Sequence, residues 1–537
     1  MQTLNAHSNY SLLTGTISIQ ELVDLAVENK SKYVVLTDTN GMYGLIQFAK
    51  YALEKNIKPI LGAFIDDPND PEIHTIILAR NNHGYSRLCK IITKRKLQDE
   101  FSLNSIMNED FSDLYFITSS LKFLTTIHID DKVRKHLFVE LISSKKMKRQ
   151  TRELFNFAES KGLKYCASHP VFMKSEDDFI LHQVLTSIRE NSTLSNLDES
   201  KLVDKEFIYM KPDEIKKIWK SLPQALKNTD IIAEDCNVDL KFGIPKFPKF
   251  SLPEAESSYS YLLKICFKGL EERYYPITDN VIKRLHLELD TIQELGSCDY
   301  FLIVWDIVRE ARRREIISIG RGSAANSIVA YCLGLTQVDP IDQNLYFERF
   351  LNKARTSPPD VDLDFSWKER DEIVRYVFDK YGYDKVAMIS TTVTFRARSA
   401  FRETAKAFGI SNEEISKYSR FIPWTGARNL TSLSEKFPEA KEIAFEDEPW
   451  TSIISVASRL ANFPRHLSIH PSGIIVTPEP ITNYVALEFA KNKGLGLIIT
   501  QPDMYPIEDM GLVKIDLLSQ RSLGVLRDTL NRIQEKD

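Results

Sequence analysis

The chain has 537 residues, room for three or four domains of ordinary size. With 43% apolar and 27% charged residues and a net charge of −4, it has the composition of a soluble globular protein. A histone-like basic protein is excluded, although a local basic patch can still meet nucleic acid. The N-terminus lacks a basic-then-apolar secretory signal, and the most apolar helical stretch, Tyr300–Arg309, is interrupted by Asp306, so no membrane span is expected. Six dispersed cysteines without a CxxC pair fit reduced thiols in a cytoplasm.

From Thr3 to about Leu240 the pattern alternates between helix and strand. Ile19–Glu28 reads as a helix, and Tyr33–Leu36 and Ile73–Ala79 as strands, which predicts an αβ layered or barrel domain. Basic clusters at Lys94-Arg95-Lys96 and Lys145-Lys146-Met147-Lys148-Arg149 read as solvated faces, with nucleic-acid binding the sharper alternative. Pro245, Pro248 and Pro253 break both periodicities in Phe242–Glu256, which reads as an inter-domain linker. Helical spacing returns over Ser257–Arg273, Asp279–Leu295 and Tyr300–Arg314. In Ala397–Lys406, Arg398, Arg402 and Lys406 fall four apart and share one helix face. Residues of about 410–465 are charged and helical in pattern, and β character resumes at Ser472–Thr477 and Gly496–Thr500.

Three motifs carry possible chemistry. In Pro359-Asp360-Val361-Asp362-Leu363-Asp364-Phe365, the two-residue period of a strand puts Asp360, Asp362 and Asp364 on one face and apolar anchors on the other. Carboxylates so close repel one another unless cations lie between them; the plainer alternative is a solvated edge strand. Upstream, Ile319-Gly320-Arg321-Gly322-Ser323 is a glycine turn whose backbone N–H groups, with the Arg321 guanidinium and the Ser323 hydroxyl, suit a phosphate. It is not a Walker loop, because no Gly-Lys-Ser/Thr follows. Arg349 and Arg355 lie between the two motifs, placed to pair with the carboxylates or with a phosphate. Late in the chain, Val513-Lys514-Ile515-Asp516-Leu517 repeats the strand pattern with Lys514 and Asp516 on one face. Together these are the parts of two-metal phosphoryl transfer: carboxylates to bridge two Mg²⁺ ions and cationic and backbone donors around a triphosphate.

The run SCDYFLIVWDIVREARRREIISIGRGSAANSIVAYCLGL, followed by FERFLN and SPPDVDLDF, closely resembles the palm of the bacterial DNA polymerase III alpha subunits, the C-family polymerases. TFRARSAFRETAKAFG, RHLSIHPSGIIVT and LVKIDLL resemble that family's later motifs in the same order. The resemblance implies a multidomain α/β and α+β chain. A PHP-type αβ barrel would span 1–240 and a linker 241–256. A nucleotidyltransferase palm, a mixed sheet with helices, would occupy 257–391 and 470–537, with a helical thumb inserted at 392–469. It implies DNA-templated DNA synthesis from dNTPs on primer-template DNA, with Asp360, Asp362 and Asp516 as catalytic ligands of two Mg²⁺ ions and Asp364 less direct. Gly322 and Ser323 would hold the triphosphate with support from Arg321, Arg349, Arg355 and Lys514. Arg398, Arg402, Arg465 and His466 become candidate contacts to DNA.

The sequence also departs from the family. Many PHP domains bind metals, but here Asn5 stands for a histidine, Thr39 for another, and Phe64 for a glutamate, leaving His7, Asp38 and His74. The expectation is a degenerate PHP metal site without phosphoesterase activity. Asn326 takes the place of a usual glycine, and the fingers and C-terminal domains of the family are absent from these residues. A separate C-terminal polymerase portion, and a sliding clamp reached through it, are therefore expected partners, and the chain alone is expected to polymerise poorly. Two other readings compete: a PHP metallophosphoesterase acting as a 3′–5′ exonuclease, and a non-catalytic DNA-binding remnant.

Overall fold

The computed structural model describes residues 3–353, 358–437, 440, 445, 447–490 and 496–534. The chain divides into two compact units, Met1–Asp239 with Thr392–Ser468, and Leu240–Thr391 with Ile469–Asp537.

The first unit is built on six strands in sequential order: β1 (Tyr33–Leu36), β2 (Lys58–Asp67), β3 (Asp70–Ala79), β4 (Leu114–Thr118), β5 (Leu137–Ile142) and β6 (Lys164–Ser168). The pairs β1/β2, β4/β5 and β5/β6 are parallel, while β3 runs antiparallel to both its neighbours. Residues 5–7 join the two ends of this order. The Thr37 N–H donates to the Ala6 carbonyl, and the His7 N–H donates to the Val171 carbonyl, each at 2.8 Å. These bonds curl the sheet into a barrel. Helix Ile19–Glu28 starts where the sequence predicts, because Ser18 and Glu21 cap each other's backbone and Ile19, Leu22, Val23 and Ala26 bury one face. Residues 397–463 add helices Ala397–Ala407, Asn412–Ser419 and Trp450–Arg459. Their apolar faces, including Phe401, Ile453 and Ala457, share a core with Leu181, Val184 and Leu185 of helix Phe179–Glu190.

The second unit carries a mixed seven-stranded sheet. Its strands are β7 (Ser318–Arg321), β8 (Asp362–Ser366), β9 (Val386–Thr394), β10 (Pro464–Val476), β11 (Leu487–Phe489), β12 (Ile498–Asp503) and β13 (Lys514–Gln520). Across the sheet the order is β11-β12-β9-β10-β13-β8-β7. Helices Ser258–Arg273, Asp279–Glu294 and Cys298–Arg313 form the long helical elements before it. Asp306, the charge that interrupts the apolar run, is buried and accepts from the hydroxyls of Tyr376 (2.7 Å) and Tyr381 (2.9 Å) and from Arg309. It thereby ties helix Cys298–Arg313 to helix Arg370–Tyr381. Among the described residues no helix is long and apolar enough to cross a membrane. The proline-bearing stretch after residue 241 is not a free tether. The Gly243 N–H donates to the Asp509 carbonyl (3.0 Å), the Lys246 N–H to the Gly511 carbonyl (2.7 Å), and Lys246 bridges Leu512. All six cysteines are buried free thiols.

Candidate active site

Strand register builds the centre of the site. β13 runs parallel to β8 with Asp516 opposite Asp362, so their side chains emerge side by side on one face. Val361, Leu363, Phe365, Ile515 and Leu517 are buried on the other and anchor both strands. Asp360 lies two residues ahead of β8 rather than within it, and is exposed. Asp360, Asp362 and Asp516 each offer a carboxylate oxygen within 4.8 Å of the others, and among the described residues they are the group that could hold a metal ion. Asp364, one pleat further on, is turned to other partners: Gln520 Nε2 donates to it at 3.2 Å and Arg321 Nε lies 3.6 Å away.

Several residues that the motif reading missed hold this arrangement. The Tyr300 hydroxyl, fully buried, accepts from the Val361 N–H (3.1 Å) and donates to the Lys514 carbonyl (3.3 Å), clamping the entries of the two carboxylate strands. Ser472 Oγ donates to Asp516 Oδ1 at 2.7 Å. On β10, Gly473 sits opposite Asp516, and its N–H donates to His470 Nδ1 at 2.8 Å. That nitrogen is 4.0 Å from Asp516 Oδ1. A side chain at Gly473 would meet the His470 ring at 2.9 Å and Ile389 at 3.0 Å, so the close approach requires glycine. The signal for Ser472 and His470 was present in the RHLSIHPSG run; Tyr300 read only as one more apolar position of a helix.

The electrostatics favour a cation. Burial first, then the charges of Asp360 and Asp516, hold the Asp362 carboxyl above its ordinary range, against the pull of Arg321 and Lys514. Lys514 Nζ lies 2.8 Å from Asp516 Oδ2 and 3.8 Å from Asp360 Oδ2. Burial works against its charge, but the hydrogen bond to Asp516 and the Asp360 and Asp516 charges more than offset this and raise its pKa. One lysine among three carboxylates leaves net negative charge. Hard oxygen donors in this number suit Mg²⁺, which takes one or two protein carboxylates and leaves room for water and phosphate.

The glycine turn flanks the carboxylates. β7 runs antiparallel to β8 with Arg321 opposite Asp362, and Arg321 Nε lies 3.9 Å from Asp362 Oδ2. Gly322 has φ +73°, and a Cβ there would stand 3.6 Å from the same oxygen. The chain then enters the short 3-10 turn Gly322–Asn326, where Asn326 Nδ2 donates to the Ser323 carbonyl at 2.8 Å. Buried Glu288 fixes the exit by accepting from Ser327 Oγ (2.7 Å) and Arg284 Nε (2.7 Å). Arg349 is exposed at the end of the turn Phe347–Arg349 and pairs with none of the three aspartates. Arg355 lies outside the described residues.

In the first unit the four candidate DNA contacts have neighbours of their own. Arg398 donates to the Ile422 carbonyl (2.7 Å), Arg402 to Ser419 Oγ (2.9 Å) and Ser416 Oγ (3.3 Å), and Arg465 to Glu403 Oε1 (2.9 Å). His466 is exposed beside Arg465, and burial, then that charge, lowers its pKa. Trp424, which the sequence reading passed over, is 89% exposed with the Arg396 guanidinium 5.8 Å from its ring centre.

The remaining PHP-type residues form a closed hydrogen-bonded group. Asn5 Nδ2 donates to Glu140 (2.8 Å), so the Asn5 carbonyl faces His7 Nε2 (2.9 Å) and fixes the hydrogen on that nitrogen. Nδ1 is left to accept from Thr39 Oγ1 (3.2 Å), with Ser11 Oγ 3.0 Å away. Asp38 accepts from the Ser8 N–H (2.7 Å), Ser8 Oγ (2.8 Å) and Ser11 Oγ (2.7 Å). Phe172 stacks on His7 with ring centres 3.9 Å apart, and Phe64 packs between His7 and His74. Burial drives His7 down to about 3; it drives Asp38 up to about 6 against its hydrogen bonds to Ser11 and Ser8.

Comparison with known proteins places these two regions in named domains. Residues 3–163 match the PHP domain, and residues 260–519 match the bacterial DNA polymerase III alpha NTPase domain, which encloses the turn and all three aspartates. The chain is 32% identical to DNA polymerase III subunit alpha of Bacillus subtilis (strain 168) over 99% of its length and 49% of the relative's. It is 32% identical to the error-prone DNA polymerase of Symbiobacterium thermophilum, covering 99% of this chain and 52% of that one. The DNA polymerase III subunit alpha of Borreliella burgdorferi is 31% identical over 99% of this chain and 49% of its own. The chain thus spans about half the length of the curated relatives it matches. Both domains in this order, and similarity along nearly all its residues, are what the chain shares with bacterial DNA polymerase III alpha subunits.

Proposed function

We propose that this chain provides the catalytic centre of a DNA-templated DNA polymerase, in which a primer 3′-hydroxyl attacks the α-phosphate of a dNTP and pyrophosphate leaves. The observation that carries this reading is the convergence of Asp360, Asp362 and Asp516 from two parallel strands beside a glycine turn. The three aspartates would hold two Mg²⁺ ions, which would supply activation of the attacking oxygen and offset charge on the leaving group. Ser472 and Lys514 keep the Asp516 carboxylate oriented through one oxygen each. Gly322 and Ser323 present backbone N–H groups to the triphosphate, Arg321 supplies positive charge beside them, and Arg349 and Arg355 extend that charge. In the first unit, Arg398, Arg402 and Arg465 spend donors on shaping the DNA-facing surface, while His466 and Trp424 with Arg396 are open to a strand. The PHP-type group is structural in this reading. The chain works in the cytoplasm with the remaining half of the polymerase and, through it, a sliding clamp.

Primer extension tests this. With Mg²⁺, dNTPs and a separately supplied C-terminal portion of the polymerase, the chain is expected to extend a primer, and Asp360→Ala to abolish extension. Extension indifferent to Asp360→Ala contradicts the proposal. Metal-stimulated release of 3′ nucleotides that His7→Ala abolishes would assign the chemistry to the PHP region instead.

A further inference from the structure

The segment of residues 397–463 displays one side chain that its own core does not use. Trp424 is 89% exposed, although tryptophan is highly buried on average and gains stability for the fold only when water leaves its ring. The loop that carries it is fixed at several points. The Ala397 N–H donates to the Thr425 carbonyl (3.0 Å), and Arg396 bridges Gly426. Arg398 donates to the Ile422 carbonyl (2.7 Å), and Asn429 Nδ2 donates to Thr425 Oγ1 (2.6 Å). Pro423 restricts the backbone just before the ring. A ring held out by a braced loop loses little further freedom when something lies on it.

The charge around this loop is mostly of one sign. Between residues 394 and 432 seven Lys and Arg stand against three Glu, and two of those acids are already engaged. Glu403 pairs with Arg465 (2.9 Å) and Glu413 with Lys417 (3.9 Å). Arg396 lies with its guanidinium 5.8 Å from the Trp424 ring centre, a distance near the outer limit of a cation–π contact, so most of the ring stays open. Arg396 is exposed and has no ion-pair partner among the described residues. The same holds for Arg420 and Arg428, four residues to either side of Trp424 in the chain. An open aromatic face beside unpaired guanidinium groups matches a nucleotide, whose base stacks on the ring while its phosphate meets the cation. Bases inside a duplex have both faces covered by their neighbours, so such a ring selects an unpaired base.

We propose that Trp424 is a stacking platform for an unpaired DNA base, with the adjoining phosphate at Arg396 and Arg420 and Arg428 adding to the positive field. This rests on the polymerase reading above and adds to it a contact that reads strandedness and not sequence. The template beyond the primer end and a frayed primer end both offer such a base.

Fluorescence anisotropy of labelled DNA titrated with the whole chain in EDTA is the test. It needs neither bound metal nor turnover, so a chain inert in primer extension can pass it and an active one can fail it. The probes are an oligothymidylate of about twelve nucleotides and a blunt hairpin duplex. Trp424→Ala is expected to weaken single-strand binding about tenfold and to lower the preference for single strand over duplex by the same factor. Trp424→Phe, which keeps a ring, should recover most of the loss, and the melting temperature should hold in both because the side chain is exposed. An abasic strand of equal length should bind the parent chain and Trp424→Ala alike. Dependence on Trp424 that returns when the hairpin gains a template overhang identifies the template as the source; dependence that returns with a mismatched blunt primer end identifies the primer. Absent single-strand binding, a loss in Trp424→Ala below about twofold, an equal loss with the abasic strand, or dependence restored by neither hairpin would each overturn the proposal.

Discussion

Two groups of ionisable side chains in this molecule look alike as sequence and are opposite in physics. Around His7 and Asp38, Asn5, Ser8, Ser11 and Thr39 donate to or accept from nearly every polar atom, and Phe64 and Phe172 fill the space beside them. That group is satisfied by its neighbours. Around Asp362, by contrast, three carboxylates converge with one lysine and one serine, and Asp362 resists ionisation because of burial and its neighbours. Mutually repelling charges gathered by strand register cost stability, which is the mark of a site arranged for a ligand rather than for folding.

The largest effect should come from removing one of those charges. Asp362→Asn is expected to lower single-turnover primer extension by about 10³-fold, in line with loss of a principal transition-state stabiliser. In divalent-free buffer its melting temperature should match or exceed that of the parent chain, since one repulsive charge is gone. A large fall in melting temperature would make the carboxylate structural.

Acid titration breaks the comparison open from the other side. Between pH about 4 and about 6, folded Asp38 keeps a proton that the unfolded chain loses, and folded His7 lacks one that the unfolded chain gains. The two slopes cancel. Relative to the parent chain, Asp38→Asn removes the first slope, so its stability should fall on acidification by about 1.4 kcal/mol more per pH unit. His7→Gln removes the second, and its stability should change in the opposite direction relative to the parent by a similar amount. Urea denaturation at pH 4, 5 and 6 reads both differences; differences from the parent of the same sign would refute the assigned charge states.

Smaller effects are expected at the supports. Tyr300→Phe strands the buried Val361 N–H and should cost about 1–3 kcal/mol in urea titration, with a drop in extension rate as the strands loosen. Gly322→Ala meets no severe clash but forces a side chain to φ +73°, a strain of about 1 kcal/mol. It should raise the KM for dNTP more than it lowers kcat; an unchanged KM would remove Gly322 from the triphosphate site.

Much of this was legible because period-two patterning is local. The alternation in Pro359–Phe365 and in Val513–Leu517 put Asp362 and Asp516 on the strand faces opposite their apolar anchors, as found. The bounds of helix Ile19–Glu28 were legible for the same reason, since its capping box is contained within four residues. What joins distant segments was not. Nothing local tells that residue 516 lies opposite residue 362, or that a tyrosine at position 300 holds both strands, because these depend on contacts 61 to 214 residues apart. Helical spacing put Arg398 and Arg402 on one face, but their partners lie in 416–422 of a neighbouring segment that the spacing does not reveal. The proline-rich stretch after residue 241 read as a linker because prolines break periodicity; that it pairs along residues 509–512 is a tertiary fact.

Titration with Mn²⁺, followed by its electron paramagnetic resonance signal, compares the two groups in one measurement. The parent chain should bind Mn²⁺, Asp516→Asn should lose most of that binding, and Asp38→Asn should retain it. Binding lost in Asp38→Asn and kept in Asp516→Asn would place the metal in the N-terminal group and contradict the assignment of Asp360, Asp362 and Asp516.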